Sequence, residues 1–206
     1  MKLKLAAVVL MLAVLSASAD YIYSFKNVSA NSVADAAIGE SQLSFTVSEF
    51  GSDQVLFTFA NAGPAPSSIC DIYFDDDAVS LIFNDFQYPT AGVKFTIGAT
   101  PPDLPSGGSF SSDYSYDSDS PVQPNGINPG ESLGLLFTLA NNIDFNSIIS
   151  SLNSRDIQVG IHVQGFADEG SESFINKVPE PASVSFLAMG FLSLLGAGFF
   201  SIRRKK

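Results

Sequence analysis

The chain has 206 residues, one cysteine, no tryptophan and a formal charge of −11 at pH 7. Residues 20–177 alone hold four basic side chains against 20 acidic ones, which leaves a formal charge of −16. Such a surface repels nucleic acid and anionic lipid. A single cysteine excludes an internal disulfide, and one cysteine with one histidine excludes an ordinary zinc site.

The N-terminus has the pattern of a secretory signal. Two lysines precede an apolar run at residues 5–15, and a small-residue A-x-A site at Ala17 and Ala19 follows. This order predicts a signal peptide over residues 1–19, which signal peptidase removes so that Asp20 becomes the first residue. The alternative is an uncleaved N-terminal anchor, for which the apolar run is short.

The body, residues 20–177, alternates runs of Phe, Ile, Val, Thr and Tyr with turn-forming segments. The runs are YIYSF, QLSFTV, QVLFTFA, ICDIYF, VSLIF, GVKFTI, LGLLFTL and IQVGIHVQGF. In QVLFTFA, the side chains of Val55, Phe57 and Phe59 share one side of an extended chain, as expected where one face of a sheet packs on a core. We therefore predict a single all-β domain, an antiparallel β-sandwich of jelly-roll-like type.

One short helix and one long loop interrupt this pattern. The segment DFNSIISSLNS has apolar residues at helical spacing, with Asp144 placed to cap the first turn. Residues 101–129 are rich in Pro, Gly, Ser and Asp. They are predicted to form a loop that one strand at most crosses, at DYSYDSDS.

Four aspartates, Asp71, Asp75, Asp76 and Asp77, crowd the segment CDIYFDDDAV, and Asp85 follows. Calcium prefers several oxygen ligands and would relieve the repulsion between these carboxylates. The spacing lacks the glycine of an EF-hand loop, so a solvated turn between two strands is the simpler interpretation. A carboxylate pair for glycoside cleavage is a third alternative, which depends on a spatial separation that the sequence does not contain.

The segment GESLG at residues 130–134 matches the G-x-S-x-G motif of hydrolases, with Ser132 as nucleophile and His162 as the only available base. That motif requires a strand before the serine and a helix after it. Here a proline-containing turn precedes it and a strand-like run follows. We therefore interpret GESLG as a turn leading into a strand. Cys70 and His162 are interpreted as ordinary strand side chains, with an intermolecular disulfide or a reactive thiol as the alternative for Cys70.

Exposed aromatic rings are a further kind of candidate, because they can stack on sugars. The chain has 18 phenylalanines and six tyrosines, and phenylalanine at alternating positions is typical of a core. The candidates for sugar binding are therefore four tyrosines close to acidic residues: Tyr73, Tyr88, Tyr114 and Tyr116.

The C-terminus combines a short motif, an apolar run and a basic end. Residues 182–202 carry no charge and would be about 30 Å long as a helix, which matches the hydrocarbon core of a bilayer. The motif before this span is Val178, Pro179, Glu180 and Pro181, and the basic stop after it is Arg203, Arg204, Lys205 and Lys206. We predict a transmembrane helix with its basic tail on the cytoplasmic side; a buried core helix is the alternative.

This order closely resembles the PEP-CTERM sorting signal of exported bacterial proteins, which would occupy residues 178–206. The resemblance implies processing by an exosortase, in a bacterium that makes exopolysaccharide. It also implies anchoring in the cell envelope through the C-terminal helix, followed by a role at the cell surface or in the extracellular matrix. The body is similar to other such precursors in ICDIYFDD, GINPGESLGLLFTL and VGIHVQGFADEGSESFIN.

The sequence thus predicts an exosortase-sorted surface or matrix protein with a structural or adhesive role, linked to exopolysaccharide or biofilm and without enzymatic activity. The expected partners are signal peptidase, exosortase, the membrane and exopolysaccharide, but not nucleic acid. Calcium at the four aspartates is the one candidate cofactor. Two alternatives stay open: a secreted hydrolase acting on polysaccharides or esters, and a calcium-dependent binding module.

Overall fold

A computed structural model describes residues 20–84, 86–140 and 142–178. The predicted signal peptide over residues 1–19 and the predicted span and basic tail at residues 182–206 lie outside the described residues. So do Asp85 and, from the sorting motif, Pro179, Glu180 and Pro181. Within the described part of the chain, no helix is long and apolar enough to cross a membrane.

Eleven strands and three helices make up the described residues. The strands are β1 (Tyr21–Asn27), β2 (Leu43–Glu49), β3 (Gln54–Asn61), β4 (Ser68–Asp76), β5 (Leu81–Ile82), β6 (Gln87–Pro89), β7 (Phe95–Ile97), β8 (Tyr114–Ser118), β9 (Ser132–Leu139), β10 (Ile157–Gln164) and β11 (Glu172–Asn176). The helices are α1 (Val33–Gln42), α2 (Val122–Asn125) and α3 (Phe145–Ser154). Neighbouring strands pair antiparallel, so the predicted antiparallel all-β class is confirmed.

The strands form one curled sheet in the order β5-β9-β3-β2-β1-β11-β10-β4-β8-β7, with β6 also paired to β9. Strand β1 joins the two halves of this sheet, because residues 21–24 pair with β2 and residues 25–27 pair with β11. We call β2, β3, β5, β6 and β9 the first half, and β4, β7, β8, β10 and β11 the second half. Each half has an inner face towards the core and an outer face.

Aromatic rings from both halves meet in the core. Phe74 of β4 lies against Phe57 and Phe59 of β3 and Phe137 of β9, with ring centroids 5.2, 6.0 and 4.8 Å apart. All four side chains are fully buried. Val55 is buried beside Phe57 and Phe59, which confirms the alternation predicted for QVLFTFA. These contacts hold the two halves of the sheet face to face.

Helix α3 confirms the predicted helix and its cap. Asp144 accepts a hydrogen bond from the Ser147 N–H at 2.8 Å, and the apolar stripe of α3 is buried against the core. The helix ends at Arg155, whose backbone is left-handed, with φ of 74°. The prediction of a single helix is wrong, because α1 and α2 are also present among the described residues.

Helix α1 lies so close to β11 that a side chain at Gly39 would overlap the ring of Phe174. A Cβ atom there would be 2.1 Å from Phe174 Cζ. Ser32 caps the helix by accepting a hydrogen bond from the Asp35 N–H. The position of α1 therefore depends on a contact between residues distant in sequence.

The segment predicted as a loop contains both a strand and a cover for the sheet. β8 is the one strand that the prediction allowed, and α2 follows it. Before β8, Leu104 and Phe110 pack on Tyr73 on the outer face of the second half. Gly160 of β10 leaves room for them, because a Cβ atom there would lie 2.8 Å from the Leu104 side chain. A second, smaller apolar cluster thus forms under this segment.

Candidate functional site

An acidic row crosses three adjacent strands on the outer face of the second half. His162 of β10 pairs in register with Asp71 of β4, and Asp71 pairs with Asp117 of β8. His162 Nδ1 is 2.9 Å from Asp71 Oδ2. Asp71 is buried, whereas His162 and Asp117 are half-buried. The row therefore reaches solvent at both ends.

Burial and the neighbouring Asp71 carboxylate raise the pKa of Asp117 to about 6. The main cause is desolvation, followed by the charge of Asp71, a hydrogen bond with that carboxyl group, and the charge of Asp119. The neutral form of Asp117 is favoured because it does not repel the neighbouring Asp71 carboxylate. Asp117 therefore holds its proton at a higher pH than an ordinary aspartate does.

We expect Asp117→Asn to raise the melting temperature at pH 7 by about 2–4 °C, the shift that about 1 kcal/mol produces in a domain of this size. The folded state favours the uncharged form of Asp117, so its contribution to stability is present below pH 4 and is lost as pH rises through about 6. Asparagine keeps the uncharged, hydrogen-bonded state at every pH. Melting curves of parent and variant should therefore differ at pH 7 and coincide at pH 4.

Asp53→Asn is the matched control for this pH experiment. It removes the same charge from the same acidic body, but Asp53 is exposed in a turn of the first half. A general relief of charge repulsion would stabilise both variants equally. An equal gain in Asp117→Asn and Asp53→Asn, or a gain that persists at pH 4, would count against the raised pKa of Asp117.

The four aspartates predicted to bind calcium have different partners in the structure. Asp71 belongs to the acidic row, and Asp75 accepts a hydrogen bond from the Ser111 N–H at 3.0 Å. Both lie on the outer face of β4. Burial, and then the charges of nearby aspartates, raise the pKa of Asp75 despite this hydrogen bond. Asp75 thus helps to hold the segment before β8 against the outer face of the sheet.

Asp76 points to the other side of the strand and stabilises the turn after β4. Its carboxylate accepts hydrogen bonds from the N–H groups of Ser80 and Leu81, at 3.1 and 2.8 Å, while Asp77 is exposed. Among residues 20–84, 86–140 and 142–178, no group of three or more Asp, Glu, His or Cys side chains is arranged to hold a metal ion. Calcium binding by these aspartates stays a prediction.

Ser132 begins strand β9, which confirms the interpretation of GESLG as a turn leading into a strand. Its N–H donates to Thr90 Oγ1 at 3.0 Å, and its carbonyl accepts from the Thr90 N–H at 2.9 Å. His162 belongs to the second half and contacts Asp71. The structure therefore does not assemble a serine nucleophile with a histidine base from these two residues.

Cys70 is a buried side chain of β4, as predicted. Its Sγ lies 3.4 Å from the carbonyl oxygen of Ser68, in donor geometry. Burial raises the pKa of the Cys70 thiol to about 11. The sulfur is therefore an uncharged, unreactive thiol at neutral pH.

Three of the four candidate tyrosines are unsuited to stack on a sugar. Tyr73 and Tyr116 are fully buried. Tyr114 is half-buried, and its hydroxyl donates to the carbonyl oxygen of Leu81 at 2.8 Å. Tyr88 differs, because 48% of its surface is exposed. Its surroundings form the second candidate site.

We define the aromatic patch as six apolar side chains on the outer face of the first half and at its edge: Phe50, Leu56, Ile82, Phe86, Tyr88 and Leu136. Phe86 is 65% exposed, and Phe50, Ile82 and Tyr88 are also exposed. The rings of Phe50 and Tyr88 lie 6.0 Å apart. Exposed apolar groups gathered in this way mark an interaction surface. Of these residues, the sequence indicates only Tyr88 as a candidate. Phe50 and Phe86 lie just outside β2 and β6, and the pairing of distant strands decides that they share one face.

Gly134 of the GESLG segment makes this patch continuous. It pairs with Tyr88 across β6 and β9, and a Cβ atom at Gly134 would lie 3.2 Å from both Leu56 Cδ1 and Tyr88 Cβ. The absent side chain lets these groups approach each other over β9. Next to it, the Leu136 N–H donates to the carbonyl oxygen of Phe86 at 3.1 Å, which fixes the backbone of the Phe86 segment on β9.

The two candidate sites thus differ in place and in chemistry. The acidic row lies on the second half and can exchange a proton near pH 6. The aromatic patch lies on the first half and offers an uncharged contact surface. Comparison of the chain with protein-family models, with curated proteins and with solved structures finds no match.

Proposed function

We propose that this chain is an exported bacterial protein of the cell surface or extracellular matrix, sorted by an exosortase, that adheres to polysaccharide. The sequence supports the sorting step through the predicted signal peptide and the pattern of residues 178–206. The body would be a jelly-roll-like β-sandwich whose two layers are the halves of the curled sheet. Its role there would be structural and adhesive rather than enzymatic.

The aromatic patch is the observation that carries the adhesive role. Phe50, Phe86 and Tyr88 expose aromatic rings on one outer face, where the flat side of a ring can pack against the C–H groups of a sugar. The Tyr88 hydroxyl adds a polar group at the same surface. The patch is an apolar surface on an otherwise highly charged body. Binding of a partner would remove these side chains from water, which favours the complex.

Charge favours an uncharged polysaccharide over other occupants of the patch. Two copies of the body, each with a formal charge of −16, repel each other, and an acidic polymer is repelled for the same reason. A neutral glycan is not repelled by the charge of the body. It also presents a repeated surface, so that many weak contacts between protein and polymer add up to firm attachment.

The experiment measures retention on insoluble cellulose, a neutral polysaccharide. It compares the parent protein with a double variant that carries both Phe86→Ser and Tyr88→Ser. We expect the parent to bind and the variant to lose most of its retention, because both replaced side chains are exposed and their loss removes stacking area. The variant should keep the melting temperature of the parent, since exposed substitutions usually change stability little. A parallel experiment tests export: the protein is recovered from the medium of the producing cells, and its mass is measured.

Ile97→Ser is the matched control, because Ile97 has nearly the same exposure as Tyr88, 47%, but lies on β7 of the second half. Its retention on cellulose should equal that of the parent. Equal retention of all three proteins would overturn the role of the patch. Self-association that the double variant abolishes, measured by sedimentation without cellulose, would identify a second copy as the occupant and would also overturn the proposal.

A further inference from the structure

A cavity of about 590 Å³ lies at the end of the second half, remote from the aromatic patch. Lys26 of β1, Arg155 at the end of α3 and Lys177 after β11 line it, together with Asn176 and the aliphatic side chains of Val28 and Ile175. Three separate segments of the chain therefore bring their cations to one place. A cavity of this volume suits a small ligand.

The charge of this cavity is opposite to that of the body around it. Residues 20–177 contain only four basic side chains, and three of them line this cavity. The fourth, Lys94, does not. A formal charge of −16 spread over the rest of the body makes this the one place in the described residues where several cations converge.

Two of the three cations are free to bind a ligand. Lys177 Nζ is 2.9 Å from Glu40 Oε2, and this ion pair lowers the pKa of Glu40. The charge of Lys26 also contributes to lowering the pKa of Glu40. Among the described residues, however, Lys26 and Arg155 make no direct ion pair and no side-chain hydrogen bond. Three cations outnumber the carboxylate of Glu40, so the cavity keeps a net positive charge.

Arg155 also occupies a backbone position that favours glycine. Its φ of 74° and ψ of 20° place it in the left-handed region at the end of α3, where a residue with a Cβ atom is disfavoured and glycine is common. A non-glycine residue held there is a reason to look for a function of its side chain. Contact between the Arg155 guanidinium group and a ligand in the cavity would be such a function.

Asn176 contributes a polar side chain of fixed orientation to the wall of the cavity. Its Oδ1 accepts a hydrogen bond from the Val159 N–H at 2.8 Å, which fixes the orientation of the amide. Its Nδ2 is buried and has no hydrogen-bond partner among the described residues.

The geometry points to a binding site for a carboxylate or phosphate group on a molecule of monosaccharide size, held by Lys26, Arg155 and Lys177. The planar guanidinium of Arg155 can donate two parallel hydrogen bonds to either oxyanion. The aliphatic side chains of Val28 and Ile175 would contact the uncharged part of the ligand. A polymer with many anionic groups is disfavoured, because its other charges would face the acidic surface of the body.

Titration of the full-length protein with glucuronate, glucose 6-phosphate and neutral glucose, followed by calorimetry, tests this site. We expect one or both anions to bind and glucose not to bind. Binding of glucuronate alone identifies a carboxylate site, and binding of glucose 6-phosphate alone identifies a phosphate site. In both cases, added salt should weaken the affinity, because charge supplies most of it.

Arg155→Gly should weaken the affinity for the bound anion by about tenfold or more, the loss expected for charge-assisted hydrogen bonds. It should leave the melting temperature unchanged or higher, because glycine suits the left-handed backbone at that position. The loss of affinity therefore cannot come from unfolding. Lys94→Ala is the matched control, since it removes one positive charge outside the cavity.

Three results would overturn the site. One is that neither anion binds to the parent protein. Another is that Arg155→Gly binds the anion as tightly as the parent does. The last is an equal loss of affinity in Lys94→Ala, which would show that the overall charge of the body, rather than this cavity, attracts the anion.

Discussion

Replacement of Glu172 by leucine should lower the free energy of unfolding at pH 7 by at least about 3 kcal/mol. Glu172 is 1% exposed, and its carboxylate accepts hydrogen bonds from the side chains of Asn27 and Ser29 and from the N–H groups of Asn31 and Ser32. Leucine would leave these donors without their acceptor in a place that water reaches poorly. The penalty for unsatisfied donors is larger than the gain from hydrogen bonds when they form.

The carboxylate of Glu172 holds the chain between β1 and α1. Its donors come from residues 27–32, and the last of them, Ser32, is also the N-cap of α1. Loss of these hydrogen bonds should therefore free the start of the helix as well as the connection before it. Urea unfolding followed by circular dichroism measures the change in the midpoint.

The pH dependence of this variant has a definite sign. Burial by itself would raise the pKa of Glu172, but hydrogen bonds from Ser29, Asn27, Ser32 and Asn31 outweigh it, so the pKa is lowered. A carboxyl group with a lowered folded pKa stabilises the protein above its unfolded pKa, and this contribution is lost as the pH falls through the folded pKa. The difference between parent and variant should accordingly shrink in acid.

Glu49→Leu is the control for the loss of a negative charge, because Glu49 is exposed at the end of β2. Its unfolding midpoint should stay close to that of the parent. Equal midpoints for Glu172→Leu and Glu49→Leu at pH 7 would contradict the role of Glu172 as a buried acceptor.

Much of the sheet could be predicted because alternation of apolar residues marks a strand that has one face on a core. Strand β3 is the clearest example, with Val55, Phe57 and Phe59 buried as expected. Helix α3 could be predicted for the corresponding reason, an apolar stripe with a capping aspartate. Helix α1 has no such stripe. Its place is fixed by the contact between Gly39 and Phe174, which sequence periodicity does not contain.

The candidate sites were harder to predict because each depends on pairing between distant strands. Asp71 and His162 are 91 positions apart and meet only through the register of β4 and β10. The three cations of the cavity come from β1, the end of α3 and the segment after β11. Composition could show that basic residues are rare in the body, but not that three of them converge.

Replacement of Phe74 by alanine should lower the free energy of unfolding by about 3–5 kcal/mol, the usual cost for a buried phenylalanine. Phe74 lies on the second half and contacts three rings of the first half, those of Phe57, Phe59 and Phe137. The cavity that alanine leaves would be lined by rings that cannot all move to fill it. Edge-to-face contacts between the halves would be lost together with the buried area.

This loss matters because the body has no disulfide to keep the halves of the sheet together. The core and the connecting strand β1 attach the halves to each other, together with hydrogen bonds that join Leu81 of β5 to Asp76 and Tyr114. We expect the melting temperature of Phe74→Ala to fall by roughly 10 °C or more, and calorimetry provides the measurement.

Phe86→Ala is the matched control, since the Phe86 ring is mostly exposed; its melting temperature should stay within about 2 °C of the parent. A similar small change in Phe74→Ala would mean that the two halves are held together by something other than this aromatic core.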